Sequence, residues 1–195
     1  LPPSSQSLIL QARCKNPKPK ETVSAALLPI DSPREGYQNP ADLRRSACLR
    51  SLAFGEIRAR QHDIAPAHPD TCDWLFQTPE FQQWRDPACR HAHHGVLWIK
   101  GKPGAGKSTL MKHALSRYQQ DFFRDHLIVA YFFNARGETL EKTPMGLLRS
   151  IVYQLLENDD ELYERFSPSF HEKQKTHREA NWQWRLSELQ QFVRL

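Results

Sequence analysis

The sequence predicts an α/β fold in which parallel strands are joined by crossover helices. Two short apolar runs, 95–100 and 127–133, have the length and composition of buried strands. Each is followed by a segment with a helical apolar stripe, which predicts helices over 107–119 and 144–157. Because strand and helix alternate along the chain, we expect a three-layer sandwich with a parallel sheet between the helices.

Composition narrows the class of protein. The chain has 195 residues, 39% hydrophobic and 25% charged, with a formal net charge of +5, and this length suits a single core. The excess of positive charge lies in the Pro/Ser/Lys-rich first third, so nucleic-acid binding is not expected. No apolar run approaches the roughly 20 residues of a membrane span. We therefore expect no membrane partner. Without a secretory pattern, the four cysteines are expected to be reduced thiols in a cytoplasmic protein.

Proline placement predicts three segments. Residues 1–41 are rich in proline and are expected to be irregular. Residues 42–94 are expected to form a helical lead-in, with one helix over 42–61 and shorter helices beginning at Thr71 and Thr78. Residues 95–195 carry the strand–helix pattern. Within the lead-in, Cys89, His91, His93 and His94 are too close in sequence to favour a tetrahedral metal site.

One motif carries chemistry, and it lies between the first apolar run and the helix after it. Residues 101–108 follow the pattern Gly-x-x-x-x-Gly-Lys-Ser, in which glycines let successive backbone N–H groups face phosphate oxygens at a helix N-terminus. Lys107 is placed to reach the β- and γ-phosphates, and Ser108 to bind Mg²⁺. The predicted ligand is therefore ATP or GTP with Mg²⁺. The predicted binding residues are Gly101, Lys102, Pro103, Gly104, Ala105, Gly106, Lys107, Ser108 and Thr109.

These residues, with the segments around them, resemble a known family. The runs Cys48-Leu-Arg-Ser-Leu, His68-Pro-Asp-Thr-Cys-Asp-Trp-Leu and Gly95 to Thr109, together with Tyr131-Phe-Phe-Asn-Ala-Arg-Gly, are similar to fungal NACHT-type proteins. These are NOD-like, STAND-class P-loop NTPases whose NTPase region is also described as nephrocystin-type. The resemblance implies a nucleotide-dependent signalling switch linked to non-self recognition or programmed cell death. It also implies protein partners or self-association in a full-length form.

The sequence departs from that family pattern at one point. The resemblance implies a third strand that ends in acidic residues and positions Mg²⁺ and water, yet no apolar run here is followed by such residues. We therefore expect residues 95–195 to form a partial P-loop NTPase domain, truncated before the third, acidic strand, and we assign no catalytic residue. Arg136, after the second strand, is a candidate γ-phosphate contact. Two alternatives stay open, a small P-loop phosphotransferase or AAA-type ATPase, and a pseudo-NTPase that serves as an interaction scaffold.

Overall fold

The computed structural model describes residues 7–12, 39–55, 57–122, 127–177 and 182–194. In chain order the elements are β1 (Ser7–Ala12), α1 (Pro40–Leu52), α2 (Ala59–Asp63), α3 (Trp74–Gln77), α4 (Pro79–Arg85), α5 (Arg90–His93), α6 (Lys107–Phe122), β2 (Leu127–Phe132), α7 (Pro144–Asn158), α8 (Asp160–Thr176) and α9 (Leu186–Val193). Single 3₁₀ turns lie at Pro87–Cys89 and Leu140–Lys142.

The prediction of a parallel sheet is wrong. The described residues contain one sheet, in which β1 pairs antiparallel with β2 in a register that joins Ser7 to Phe132 and Ala12 to Leu127. Residues 95–100 form no strand, so no P-loop sandwich is seen. The physical reason is that an apolar run indicates that a segment is buried, but it does not determine whether the segment pairs with another strand or with which one. β1 also falls in the segment that was expected to be irregular.

The predicted helices after the motif are confirmed, since α6 and α7 begin where the sequence placed them. Both starts follow from local chemistry. Thr143 caps α7, its hydroxyl accepting a hydrogen bond from the N–H of Gly146 at 3.4 Å, and Pro144 occupies the first helical turn. Thr78 caps α4 in the same way through the N–H of Phe81. The helix expected over 42–61 is interrupted, because Gly55 has a positive φ of 41° between α1 and α2.

Both faces of β2 are covered, which explains its uninterrupted apolar sequence. On one face Ile128, Ala130 and Phe132 pack with Leu115 of α6. On the other face Val129 packs with Ile151 and Leu155 of α7. Strand β2 therefore lies between the helix that follows the Gly-Lys-Ser motif and the helix that leads to the C-terminal part of the chain.

Helices α1 and α7 hold each other by reciprocal arginine caps. Arg149 of α7 donates hydrogen bonds to the carbonyls of Ser51, Leu52 and Ala53 at the end of α1, at 2.7–3.2 Å. Arg45 of α1 donates to the carbonyl of Leu156 at the end of α7, at 2.6 Å. Helix C-termini carry unsatisfied carbonyls and partial negative charge, so each guanidinium stabilises the terminus it meets. Burial lowers the pKa of Arg149.

Candidate phosphate-binding site

The Gly-Lys-Ser motif forms an exposed loop that runs directly into α6. Gly104 and Gly106 adopt left-handed conformations, with φ of 79° and 77°. A Cβ at either glycine would meet no atom within 4 Å, so the need for glycine there is conformational and not steric. Other residue types adopt such φ values at a cost. The loop shape therefore depends on glycine at these two positions of the loop.

The loop presents backbone donors that the described part of the chain does not use. Ala105 donates its N–H to the carbonyl of Lys102 at 3.2 Å, and Leu110 donates to Gly106 at 2.8 Å. Within the described residues, no acceptor meets the N–H groups of Gly104, of Gly106 or of the first three residues of α6. Unpaired N–H groups at the start of a 16-residue helix form a site suited to an anion.

Lys107 lies folded across this loop. Its Nζ donates to the carbonyls of Gly101 at 2.7 Å and Lys102 at 2.9 Å. The Lys107 side chain also passes Gly101 closely, since a Cβ on Gly101 would lie 3.6 Å from Lys107 Cγ and Cδ. No carboxylate pairs with Lys107 among the described residues. An incoming phosphate would therefore compete with two neutral carbonyls and not with an ion pair.

The hydroxyls of Ser108 and Thr109 lie in the first turn of α6 and are partly buried. Across the described ranges neither hydroxyl takes part in a hydrogen bond. The donor set of the loop, several N–H groups, the ammonium groups of Lys102 and Lys107 and two hydroxyls, suits the phosphates of a nucleotide. A single hydroxyl at Ser108 suits Mg²⁺ only as one ligand among others that phosphate oxygens and water would supply.

Helix α6 is fixed to the lead-in by two contacts that sequence reasoning missed. Lys112 Nζ donates to the carbonyl of Ile64 at 2.6 Å, just beyond the end of α2. His113 Nε2 lies 2.9 Å from Asp73 Oδ1, and its ring stacks at a tilt on Phe76. Both pairs are at least 40 residues apart in sequence, so no spacing pattern could reveal them. They position the first turns of α6, and with them the loop.

Arg136 lies in the turn that follows β2. Its backbone N–H donates to Asn134 Oδ1 at 3.3 Å, while Glu141 accepts from Asn134 Nδ2 at 3.2 Å and from the N–H of Glu138 at 2.6 Å. No hydrogen bond or ion pair joins Arg136 to loop 101–109 in the described chain. A contact between Arg136 and a γ-phosphate stays a prediction.

The Cys/His cluster has local partners. The thiol of Cys89 lies 3.6 Å from Asp86 Oδ2, and His93 bonds the carbonyl of Gln83 through Nε2 and the N–H of Gly95 through Nδ1. Within the described ranges, no group of three or more His, Cys, Asp or Glu side chains is arranged to hold a metal ion. The His93 ring stabilises the turn that leads into residues 96–100.

A cavity of about 670 Å³ lies elsewhere, between α8 and α9. Its lining includes Lys173, Trp182, Trp184 and Glu188 but no residue of loop 101–109. Lys173 Nζ is 5.4 and 5.2 Å from the ring centroids of Trp182 and Trp184, and 3.0 Å from Glu188 Oε2. These contacts hold α9 against α8. The phosphate-binding candidate is an open surface loop and not this cavity.

Comparisons with known proteins place the chain in a family. The sequence model of the family described as Nephrocystin 3, N-terminal matches residues 70–194, so the chain belongs to that family. It is also similar to vegetative incompatibility protein HET-E-1 of Podospora anserina, with 25% identity over 113 residues. That alignment covers 56% of this chain and 8% of the relative. The two matches confirm the resemblance to the nephrocystin-type region of fungal NACHT-type proteins.

No solved structure matches the chain. Among the described helices, none has both the length and the apolar composition that crossing a bilayer requires.

Proposed function

We propose that loop 101–109 binds the phosphates of ATP or GTP together with Mg²⁺, as the nucleotide-binding part of a signalling switch. The observation that carries the proposal is the set of unused N–H groups at the start of α6, beside a lysine that no carboxylate neutralises in the described residues. Positive charge, left-handed glycines and a helix N-terminus are the features that phosphate loops share.

The signalling role is supported by the family and by the relative. The chain belongs to the nephrocystin 3 N-terminal family, and HET-E-1 is by its name a vegetative incompatibility protein. Because this chain spans 8% of that relative, the activity of the whole relative does not transfer as such. What we propose for this chain is narrower, namely binding of a nucleoside triphosphate within a cytoplasmic protein that signals non-self recognition or cell death through protein partners.

Replacing Lys107 with Ala tests the site. The substitution removes the ammonium and leaves the backbone donors in place. The free energy of ATP binding should therefore become less favourable by about 2–4 kcal/mol, as for the loss of one charge-assisted contact. Calorimetric titration of the whole chain with ATP and with GTP in Mg²⁺ measures this loss and identifies the preferred base.

Lys100→Ala is the matched control. Lys100 is exposed and immediately precedes the loop, so its removal changes the net charge equally without touching the motif. We expect affinity to change by less than about threefold, which is the size of a screened surface charge effect. Equal ATP affinity in the wild type and the Lys107 variant, or equal losses in both variants, would contradict the assignment of this loop.

A further inference from the structure

Residues 93–96, the His93 turn, connect α5 to the run that enters the phosphate-binding loop. The N–H of Val96 donates to the carbonyl of His93 at 2.9 Å. The two residues between them are left-handed, with φ of 51° at His94 and 75° at Gly95, as in a type I′ turn. A histidine adopts this conformation at a cost, so the turn depends on further contacts that hold it.

Two hydrogen bonds of the His93 imidazole define its protonation state. The N–H of Gly95 donates to Nδ1 at 3.0 Å, and Nε2 lies 3.2 Å from the carbonyl oxygen of Gln83. A ring nitrogen accepts a hydrogen bond only when it carries no hydrogen, and a carbonyl oxygen can only accept. Both bonds therefore form together only in the neutral ring that carries its hydrogen on Nε2.

The His93 turn is bound to α4 at two neighbouring residues. Besides the bond from His93 to Gln83, the carbonyl of Gly95 accepts from Trp84 Nε1 at 2.8 Å. The imidazole thus joins α4 to the backbone of the turn, with one nitrogen on each side. Losing either bond of the ring would separate the turn from one of its two attachments.

The turn opens directly into the 96–100 segment, Val96 to Lys100, whose side chains alternate. Leu97 and Ile99 pack against the apolar cluster that α6 shares with the lead-in, whereas Val96 and Trp98 are more than half exposed. Alternation of this kind is typical of a strand with one face on the core. The geometry of the turn therefore helps to fix which side chains of the segment reach the core.

A second proton on His93 removes one of the two bonds and keeps the other. In the imidazolium both nitrogens carry a hydrogen, so Nε2 still donates to the carbonyl of Gln83. The hydrogen on Nδ1, however, then faces the N–H of Gly95, and two donors cannot bond to each other. Protonation therefore removes the side-chain acceptor that holds the two left-handed residues.

We propose that His93 is a proton-sensitive contact, which orders the His93 turn when its ring is neutral and releases Gly95 when its ring is protonated. In the protonated state the ring stays bound to α4 through Gln83, and the start of the 96–100 segment loses a restraint. The proposal rests on contacts within residues 83–96 and not on nucleotide binding.

Other titratable groups lie near the ring and have to be separated from it. The titratable and charged residues of α4, of the 3₁₀ turn with its cap, of α5 and of the His93 turn are Glu80, Arg85, Asp86, Cys89, Arg90, His91 and His94. Arg90 comes close, since a Cβ on Gly95 would lie 3.9 Å from its Nε. Desolvation and the neighbouring Asp86 raise the pKa of the Cys89 thiol. Of the residue types in this set, only histidine ordinarily changes charge between about pH 5 and pH 8.

NMR of the whole chain with isotope-labelled nitrogen tests the proposal directly. At about pH 8 the chemical shifts of the ring nitrogens should identify Nδ1 of His93 as the nitrogen without hydrogen, and a coupling across the hydrogen bond should join it to the nitrogen of Gly95. At about pH 5 this coupling should be absent. The protection factor of the Gly95 amide, which corrects its exchange rate for the intrinsic effect of pH, should fall by about five- to tenfold, as for the loss of one hydrogen bond.

Two variants of His93 separate the accepted bond from the donated one. His93→Asn offers an amide oxygen close to the place of Nδ1 and does not titrate, so the protection factor of Gly95 should stay within about threefold of the wild-type value at pH 8 and should not depend on pH. His93→Gln offers an amide N–H close to the place of Nε2 but no acceptor at the place of Nδ1. In this variant the protection factor of Gly95 should be low at every pH.

His91→Asn and His94→Asn are the matched controls. Each removes another histidine of the same short stretch, and asparagine tolerates the left-handed conformation that His94 adopts. Both variants should keep the wild-type pH dependence of Gly95. Circular dichroism and thermal melting check that all four variants fold.

Four outcomes would overturn the proposal, and the first three are measured on the wild-type chain, independently of how the variants fold. One is a hydrogen on Nδ1 of His93 at about pH 8, because Gly95 then cannot donate to it. The second is a His93 ring that stays neutral down to about pH 5. The third is a protection factor of Gly95 that stays constant while the ring takes up its proton. The fourth is an unchanged pH dependence in His93→Asn, which would assign the effect to another group.

Discussion

At the scale of a residue, the buried amide of Gln154 completes the hydrogen bonding of β2. Its Oε1 accepts from the N–H of Ala130 at 3.1 Å and its Nε2 donates to the carbonyl of Ala130 at 2.9 Å. The same Nε2 meets the hydroxyl of Ser150 at 3.0 Å. Gln154 is 7% exposed, so these groups have little access to water. The side chain therefore takes the place of a neighbouring strand at this one residue.

Two substitutions at Gln154 should distinguish how much its donated and its accepted hydrogen bond each contribute to the free energy of unfolding. Gln154→Glu keeps an oxygen for the N–H of Ala130 but, when ionised, cannot donate to its carbonyl and buries a charge. Gln154→Met keeps the approximate shape and loses both bonds. Because unsatisfied buried groups cost about 1–3 kcal/mol each, more when charged, we expect both variants to be destabilised and Glu more than Met near neutral pH.

Urea denaturation of the two variants measures the effect. Asn158→Ala is the control, since Asn158 lies on the same helix and, among the described residues, its side chain donates only to the carbonyl of Gln154. Its expected loss is about 1 kcal/mol or less. A Glu variant as stable as the wild type at pH 7 would show that water reaches Ala130.

At the scale of an element, one carboxylate adds polar contacts to the apolar packing that holds α9 against α8. Glu188 Oε2 accepts from Lys173 Nζ at 3.0 Å and from the N–H of Arg185 at 2.7 Å. Burial acts to raise the pKa of Glu188, but the hydrogen bonds from Arg185 and Lys173 and the charges of both residues outweigh it. The pKa of Glu188 is therefore lower than the ordinary glutamate value of 4.5.

The lowered pKa of Glu188 predicts a pH dependence. A carboxylate with a depressed folded-state pKa stabilises the fold fully above the ordinary pKa, and this contribution is lost as the pH falls through the folded-state value. We expect the protection factors of the amides within 186–193, which correct the exchange rates for the intrinsic effect of pH, to fall below about pH 4.5 in the wild type. In Glu188→Gln these protection factors should be lower than in the wild type already at pH 7 and should change less on acidification.

Glu172→Gln serves as the control for Glu188. Glu172 lies on α8 next to Lys173, and its side chain is exposed and makes no hydrogen bond or ion pair in the described structure. Its replacement should leave the pH profile of α9 unchanged. A Glu188 variant with the wild-type profile would assign the acid sensitivity to another group.

Helices could be predicted from the sequence better than strand pairing. The starts of α4, α6 and α7 were predictable because caps, prolines and apolar stripes act within a few residues. Pairing of β2 with β1 was not predictable, since β1 is six residues long and lies among prolines. The 96–100 segment shows the limit most directly. Its alternation is present, but whether a partner strand meets it is decided by the rest of the fold.

At the scale of the whole molecule, β2 lies between the helix that begins at the phosphate-binding loop and the C-terminal helices. Its one face contacts α6, which begins at the phosphate-binding loop, and its other face contacts α7, which packs on α1 and α9. The residues of the loop could be predicted from the sequence because they are consecutive and their spacing alone identifies the motif. The contacts of Lys112 and His113 that fix α6 were not, because they join segments far apart in sequence.

The arrangement of the whole molecule leads to a prediction about turnover. Phosphoryl transfer depends on positioning water and on neutralising charge. Loop 101–109 supplies donors, yet across the described residues no carboxylate bonds to it. Glu141, after β2, already accepts two hydrogen bonds within its own turn. We therefore expect this chain to bind ATP with negligible release of phosphate.

A malachite green assay with ATP and Mg²⁺ checks this expectation, with Lys107→Ala as the reference for contaminating activity. Equal, near-background rates in the two proteins would agree with binding without turnover. Release at the rate of an ordinary ATPase that disappears in Lys107→Ala would mean that a carboxylate reaches the loop when nucleotide binds. Glu138 and Glu141 would then be the first candidates, because both follow β2 in the turn that also holds Arg136. Their Gln variants would identify which of the two side chains acts.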